Sequence, residues 1–165
     1  MAADDRTIDG IDVRILELLQ DNARTPNVEI ARQVGMAPSA VLERVRKLEE
    51  RGYIRGYLAE LDPNRLGRRL LAFVFVRGDE PPGSKALGSQ LAEIPEVQEV
   101  HHVAGEDCYL AKVRVADPEA LGRLLQERIG ALPTVRSTRS TIVLGTVKET
   151  GRLEIAKDGQ GADGE

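Results

Sequence analysis

Along the first sixty positions apolar residues recur at helical spacing. Beyond residue 70 the period changes to that of strands. Ile11, Ile15, Leu18 and Leu19 lie three and four residues apart behind Asp9 and Asp12, which are placed to cap a first turn, and predict a helix to about Gln20. A second, shorter helix is expected from Thr25-Pro26, a capping hydroxyl followed by a proline suited to the first helical position. It continues through Val28, Ile30, Ala31 and Val34 and stops at Gly35. A third runs from Pro38 to about Arg51, with Val41, Val45 and Leu48 on one face and Gly52 as terminator. Tyr53-Ile54 and Tyr57-Leu58 read as short extended segments. Three short helices, the last two joined by a glycine-containing turn, make a helix-turn-helix, with a plain three-helix bundle as the structural alternative.

Asp62-Pro63-Asn64-Arg65-Leu66-Gly67 is a turn-rich connector. After it, Leu70 to Val76 is almost unbroken apolar β-former, the pattern of a strand buried on both faces. A helix over 84–93, strands over 97–103 and 109–115, a helix over 118–129 and a strand over 135–144 follow. Ile94-Pro95-Glu96-Val97 recurs as Leu132-Pro133-Thr134-Val135, each between a helix and a strand. The class is therefore α+β: an N-terminal helix-turn-helix, then a ferredoxin-like βαββαβ domain. Two helices cover one face of such a sheet, yet Leu71, Phe73 and Phe75 alternate with Ala72, Val74 and Val76, so a second copy of the chain is expected on the other face. The expected divisions are 1–62, a connector 63–69, 70–150, and a Gly-, Asp-, Glu- and Lys-rich disordered tail 151–165.

Composition narrows the functional classes. Lys and Arg number 23 against 27 Asp and Glu, a net charge of −4, which excludes a polybasic nucleic-acid coat. Hydrophobic residues at 41% and charged residues at 30% fit a soluble core-forming chain, and no stretch approaches the ~20 apolar residues of a membrane span. The acidic start, Met1-Ala2-Ala3-Asp4-Asp5, is unlike a signal peptide, so a cytoplasmic location is expected. The single cysteine, Cys108, leaves no internal disulfide or multi-cysteine zinc site. His101 and His102, adjacent on a strand, face opposite sides and do not converge on a metal. Cys108 beside Glu106 and Asp107 lacks the positive neighbours of a reactive thiolate. No phosphate-cradling glycine loop or partnered nucleophile is present, and no cofactor is expected.

The third helix holds the concentrated basic cluster of the first domain, Arg44, Arg46 and Lys47, with Arg51 and Arg55 beyond it. On a helical wheel Ser39, Glu43 and Lys47 oppose the core positions, flanked by Ala40 and Arg46, with Arg44 nearer the core boundary. Pro38 and Ser39 stand at the helix N-terminus, where free N–H groups favour a phosphate. Solvated charges on an exposed helix are the alternative reading.

Several stretches resemble the Lrp/AsnC (feast/famine) family of prokaryotic transcription regulators. They are Ile8-Asp9…Asp12…Ile15-Leu16…Leu19-Gln20, Glu29-Ile30-Ala31…Val34-Gly35-Met36…Pro38-Ser39, and Arg44-Val45…Leu48-Glu49…Gly52-Tyr53-Ile54-Arg55-Gly56-Tyr57…Asp62-Pro63. Residues 103–110, Val-Ala-Gly-Glu-Asp-Cys-Tyr-Leu, and the strand 135–144 follow in the family's order, so the resemblance spans roughly residues 8–150. It implies a winged helix-turn-helix that reads double-stranded operator DNA. It also implies an effector domain that dimerises sheet to sheet, assembles further, often to octamers, and binds an amino acid or related metabolite. Ala37 stands where the family usually has a capping serine, Glu43 where a basic residue is frequent, and Cys108 where Asp is common.

An amino-acid effector needs acceptors for its ammonium and donors for its carboxylate. Ala104, Gly105, Glu106 and Asp107 supply turn backbone and a carboxylate, and Thr138 and Ser140 supply hydroxyls. Val103 and Tyr109 supply apolar contact, with Cys108 between them and the turn. A bare hairpin turn is the alternative for this stretch. At the level of the whole chain, the alternatives are a DNA-architectural protein without effector and an enzyme of the related haem-pathway decarboxylase type.

Overall fold

The computed structural model describes residues 8–81, 83–105 and 107–155. The chain forms two units, one from residues 1–59 together with 150–165, the other from 60–149. The backbone therefore passes between them twice.

In the first unit α1 spans Gly10–Asp21, α2 Asn27–Val34 and α3 Pro38–Glu50. The Asp9 carboxylate accepts hydrogen bonds from the N–H groups of Ile11 (2.9 Å) and Asp12 (2.8 Å), and the Asp12 carboxylate reaches back to the Asp9 N–H, closing a capping box. Thr25 behaves differently from its expected role as cap of α2. Its hydroxyl donates backward to the Asn22 carbonyl at 2.8 Å, and Pro26 takes the N-cap position. Gly35 ends α2 with φ 69°, a left-handed conformation that glycine adopts without a Cβ clash, and this turn delivers the chain to α3. Ala37, at the N-cap of α3, offers no side-chain acceptor. Ile15, Ile30, Val41 and Leu48 are fully buried between the three helices. The extended segments expected at Tyr53-Ile54 and Tyr57-Leu58 pair with no strand among the described residues; Tyr57 instead donates its hydroxyl to Glu49 at 2.9 Å.

The stretch Gly151–Ile155, read from composition as the start of a disordered tail, is held against α1. The Gln20 side-chain amide donates to the Leu153 carbonyl at 3.0 Å, and its oxygen accepts from the Leu153 N–H at 2.7 Å. Arg152 pairs with Asp21, and Ile155 packs on the helical core. The remainder of that tail, 156–165, lies outside the described residues.

In the second unit β1 (Leu70–Gly78), α4 (Ala86–Ala92), β2 (Val97–His102), β3 (Tyr109–Val115), α5 (Pro118–Arg123, continued by a π-helical turn over Leu124–Ile129) and β4 (Val135–Ile142) follow in order. The sheet runs β2-β3-β1-β4 with every neighbouring pair antiparallel, the ferredoxin-like arrangement. Ala72, Val74 and Val76 of β1 and Tyr109, Ala111, Val113 and Val115 of β3 form one face, buried beneath Leu87, Leu91, Leu121, Leu124 and Ile129. Glu80 fixes the start of α4. It accepts from the Ser84 hydroxyl at 2.7 Å and the Leu87 N–H at 2.9 Å, and its other oxygen takes the Tyr109 hydroxyl at 3.2 Å. The opposite face carries Leu71, Phe73 and Phe75 beside Leu110, Lys112 and Arg114, and neither helix of the unit lies over it.

The Gln20 clasp makes residues 150–155 part of the first unit's stability. Gln20→Ala should lower that stability by up to about 1 kcal/mol, the scale of its hydrogen bonds. A chain ending at Thr150 should be less stable than one ending at Ile155, because Ile155 leaves the core. Thermal unfolding of the four proteins checks this, and equal midpoints for the chains ending at Thr150 and at Ile155 would refute it.

Candidate functional sites

Burial of Val41, Val45 and Leu48 turns the opposite side of α3 outward. Pro38, Ser39, Glu43, Arg46 and Lys47 are exposed there, and Ala40 is half-buried at the edge. The structure thus gathers six of the seven residues expected to meet DNA on one accessible surface. Arg46 pairs with Glu50 at 2.8 Å and Lys47 lies 3.8 Å from Glu43, both one helical turn apart. Such solvent-exposed pairs are weak and screened by salt, so a phosphate can displace the acid at little cost.

Arg44, the seventh, is engaged elsewhere. Its guanidinium lies 2.8 Å from a carboxylate oxygen of Asp9 and 2.8 Å from one of Asp12, with the Asp12 side chain only 12% exposed. It ties α3 to the capping box of α1. Partial burial pushes the Asp9 carboxyl up, but the Asp12 N–H together with the hydrogen bond and charge of Arg44 outweighs this and holds it below the ordinary aspartate value. Leu42, absent from the residues expected to meet DNA, is 57% exposed on α3. Hydrophobic periodicity singles out the apolar residues that face the core and gives no signal for one that faces away.

In the second unit the β2–β3 turn contains Gly105 with φ 129°, a conformation that suits glycine. Val103 and Cys108 are half-buried at its two ends, joined by the Val103 N–H and the Cys108 carbonyl at 3.0 Å, and Ala104 is exposed. Asp107 is half-buried and pairs with Arg139 of β4 at 2.9 Å, and the Arg139 guanidinium lies 3.9 Å above the Phe75 ring. Glu106 lies outside the described residues.

The other members of the expected effector set are dispersed. Thr138 and Ser140 pair in register with Val76 and Val74, on the helix-covered side, whereas Arg139 shares the open side with Phe75. Tyr109 is 3% exposed, packed beside Gly88 of α4, where burial and the Glu80 carboxylate push its hydroxyl upward. It is a core residue. Arg139, the polar partner that the turn has in this structure, was not visible as such in the sequence, because 32 residues separate it from Asp107.

On the open face Lys112 sits between Glu99 (2.9 Å) and Glu149, and Arg114 pairs with Glu149 at 2.8 Å. The Lys112 hydrogen bonds hold both glutamates below the ordinary carboxylate range. Among the described residues no group of three or more His, Cys, Asp or Glu is arranged to hold a metal, and no helix is long and apolar enough to cross a membrane.

Residues 8–55 match the family model described as a winged helix-turn-helix DNA-binding domain, and residues 71–153 match the Lrp/AsnC ligand binding domain. The leucine-responsive regulatory protein of Klebsiella pneumoniae is 42% identical over 153 residues, covering 91% of this chain and 93% of that protein. A transcriptional regulator from Neisseria meningitidis, solved with L-Met, superposes with a TM-score of 0.84 at 30% identity, covering 90% of this chain and 97% of that one. A feast or famine regulatory protein from M. tuberculosis, complexed with L-methionine, gives 0.83 at 38% identity, covering 91% and 100%.

Removing the Arg44 guanidinium leaves the buried Asp12 without its cation. Arg44→Ala should therefore destabilise the first unit by about 1–2 kcal/mol. Because the folded pKa of Asp9 is depressed, its contribution is present above the unfolded value and lost as pH falls through the folded one. The stability gap between wild type and Arg44→Ala should narrow from about pH 6 to about pH 3, to be read by thermal unfolding at each pH. A gap that is constant or widens with acid contradicts the assignment.

Proposed function

The chain belongs to the Lrp/AsnC family of DNA-binding transcription regulators, and on that premise we propose that it reads operator DNA with the exposed face of α3, its affinity set by an amino acid bound at the β2–β3 turn. It is a regulator and not an enzyme, with an amino-acid-binding domain joined to its helix-turn-helix. The matched ligand-binding domain also favours an effector-responsive protein over a purely architectural one.

The observation that carries the DNA reading is the outward row Ser39, Glu43, Arg46 and Lys47 on a helix entered through the Gly35 turn. The N-terminal residues of such a helix contact base edges in the major groove. Pro38 and Ser39 bring the helix N-terminus to a phosphate, Lys47 neutralises another, Arg46 reaches a phosphate or a guanine edge, and Glu43 accepts from a cytosine amino group. Arg44 acts from behind, as a positioning residue.

Two copies joined through their open sheet faces would present two such helices to a site with half-sites a whole number of DNA turns apart. Phe73, Phe75 and Leu110 supply apolar area for that interface. Further assembly of dimers, up to the octamer expected from the family resemblance, belongs to the same reading.

At the effector turn the Asp107–Arg139 pair offers both charges that a zwitterionic amino acid needs. The ligand ammonium takes the place of Arg139 at Asp107, and its carboxylate takes up the released guanidinium. The L-methionine bound by two of the similar structures supports this ligand class. Binding there couples to oligomeric state and thereby to operator affinity.

Charge reversal at Lys47 or at Arg46 should weaken DNA binding across sequences and flatten the salt dependence by about one unit of slope for each phosphate that is no longer neutralised. Gel shifts over a salt series measure this, and wild-type slopes in both variants would refute the proposed surface.

Calorimetry with L-methionine and L-leucine tests the effector turn. Asp107→Ala should bind at least roughly tenfold more weakly, a loss of about 1.4 kcal/mol, while retaining ligand-free DNA binding. Equal affinity in the two proteins places the pocket elsewhere. Sedimentation of the same samples should show dimers or larger species, and a folded monomer would leave the apolar sheet face unaccounted for.

A further inference from the structure

Leu42 is a large apolar side chain, 57% exposed, in the second turn of α3. Its neighbours along the helix surface are Ser39, three residues before it, and Arg46, four after, both exposed. No second exposed large hydrophobic residue lies on α3 among the described residues. A stable protein–protein interface needs on the order of 800 Å² from each partner, with a cluster of apolar anchors at its centre. One leucine ringed by Ser39, Glu43 and Arg46 does not supply that.

What a single exposed leucine does fit is a single methyl group. The major groove of B-DNA presents one apolar feature, the C5 methyl of thymine, and its other base-edge groups are hydrogen-bond donors and acceptors. The charges on this side of α3 also limit what general attraction can do. Glu43, Glu49 and Glu50 balance Arg44, Arg46 and Lys47, so α3 carries no net charge. Discrimination must then come from short-range packing and hydrogen bonds.

We propose that Leu42 is a specificity-determining residue that packs on the methyl group of a thymine in the operator, beside the bases met by Ser39, Glu43 and Arg46. The inference rests on α3 being the reading helix. Packing on the methyl removes water from both apolar groups and enforces thymine at that position. Cytosine presents no methyl there, and a purine presents a polar edge to the leucine. Being exposed, Leu42 contributes nothing to the helical core, so its replacement alters recognition and leaves the fold intact.

The probe is a duplex selected by the full-length protein from a random-sequence pool. Each thymine is replaced singly by deoxyuridine, which removes the methyl and nothing else. With wild-type protein, at least one replacement in a half-site should weaken binding about fourfold, the scale of one buried methyl group. With Leu42→Ala the thymine duplex should already bind that much more weakly, and the deoxyuridine duplex should bind no worse than the thymine one. Thermal unfolding of Leu42→Ala should match the wild type.

A deoxyuridine penalty of the same size in both proteins overturns the proposal, as does the absence of any penalised thymine. Lys47 and Arg46 charge reversals on the same duplex distinguish a failure of the reading helix from a failure of the leucine. If those variants bind like wild type, α3 is not the reading helix. If they bind weakly while the deoxyuridine penalty persists in Leu42→Ala, α3 reads the DNA and only the role given to Leu42 fails.

Discussion

A central strand that is apolar on both sides demands two covers, and β1 is such a strand. Val74 and Val76 point into the helix-covered core, while Leu71, Phe73 and Phe75 line the other face. At ~25 cal/mol per Å², whatever part of that second face stays in water forfeits stabilisation. The arrangement of the second unit follows from this. The helices occupy one side completely, the ionic residues of the open side are drawn into mutual pairs (Lys112 with Glu99 and Glu149, Arg114 with Glu149), and Arg139 lies flat on Phe75. Pairing of these charges lowers the cost of bringing another surface against them.

The first unit is organised around a different problem, that of holding a short helix so that its polar side stays available. The capping box at the start of α1 serves twice. Asp9 and Asp12 satisfy the free N–H groups of their own helix, and the same two carboxylates receive Arg44 from α3. A basic residue on the last helix of a helix-turn-helix is readily taken for a DNA-binding one. Here its geometry makes it a brace between α3 and the start of α1, while burial of Val41, Val45 and Leu48 decides which residues, Leu42 among them, reach outward.

What could be read from the sequence was what depends on neighbours. The helix periods, the capping box, the glycine that ends α2 and the two-sided apolarity of β1 are all local, and each was visible in the order of residues. Thr25 shows the limit even at short range, since a hydroxyl can bond to the carbonyl three residues back as well as to the helix ahead. The extended segments expected after α3 form no ladder among the described residues, because extended residues do so only where a partner strand is present. The features that escaped were those joining distant positions, namely Arg44 with Asp12, Arg139 with Asp107, and Gln20 with Leu153, which are 32, 32 and 133 residues apart. No periodicity encodes such pairs. The expected effector residues Thr138 and Ser140 were grouped with the turn by chemistry alone, and strand register set them on the opposite side from Arg139.

The return of residues 150–155 to α1 makes the second unit an insertion within the first. The three helices are translated before the second unit, and the segment that completes their packing only after it. The helical unit is thus completed only once the ligand-binding domain has been translated. A chain that stops within the second unit would lack that segment, so the order of synthesis ties a complete helix-turn-helix unit to the presence of the domain that follows it.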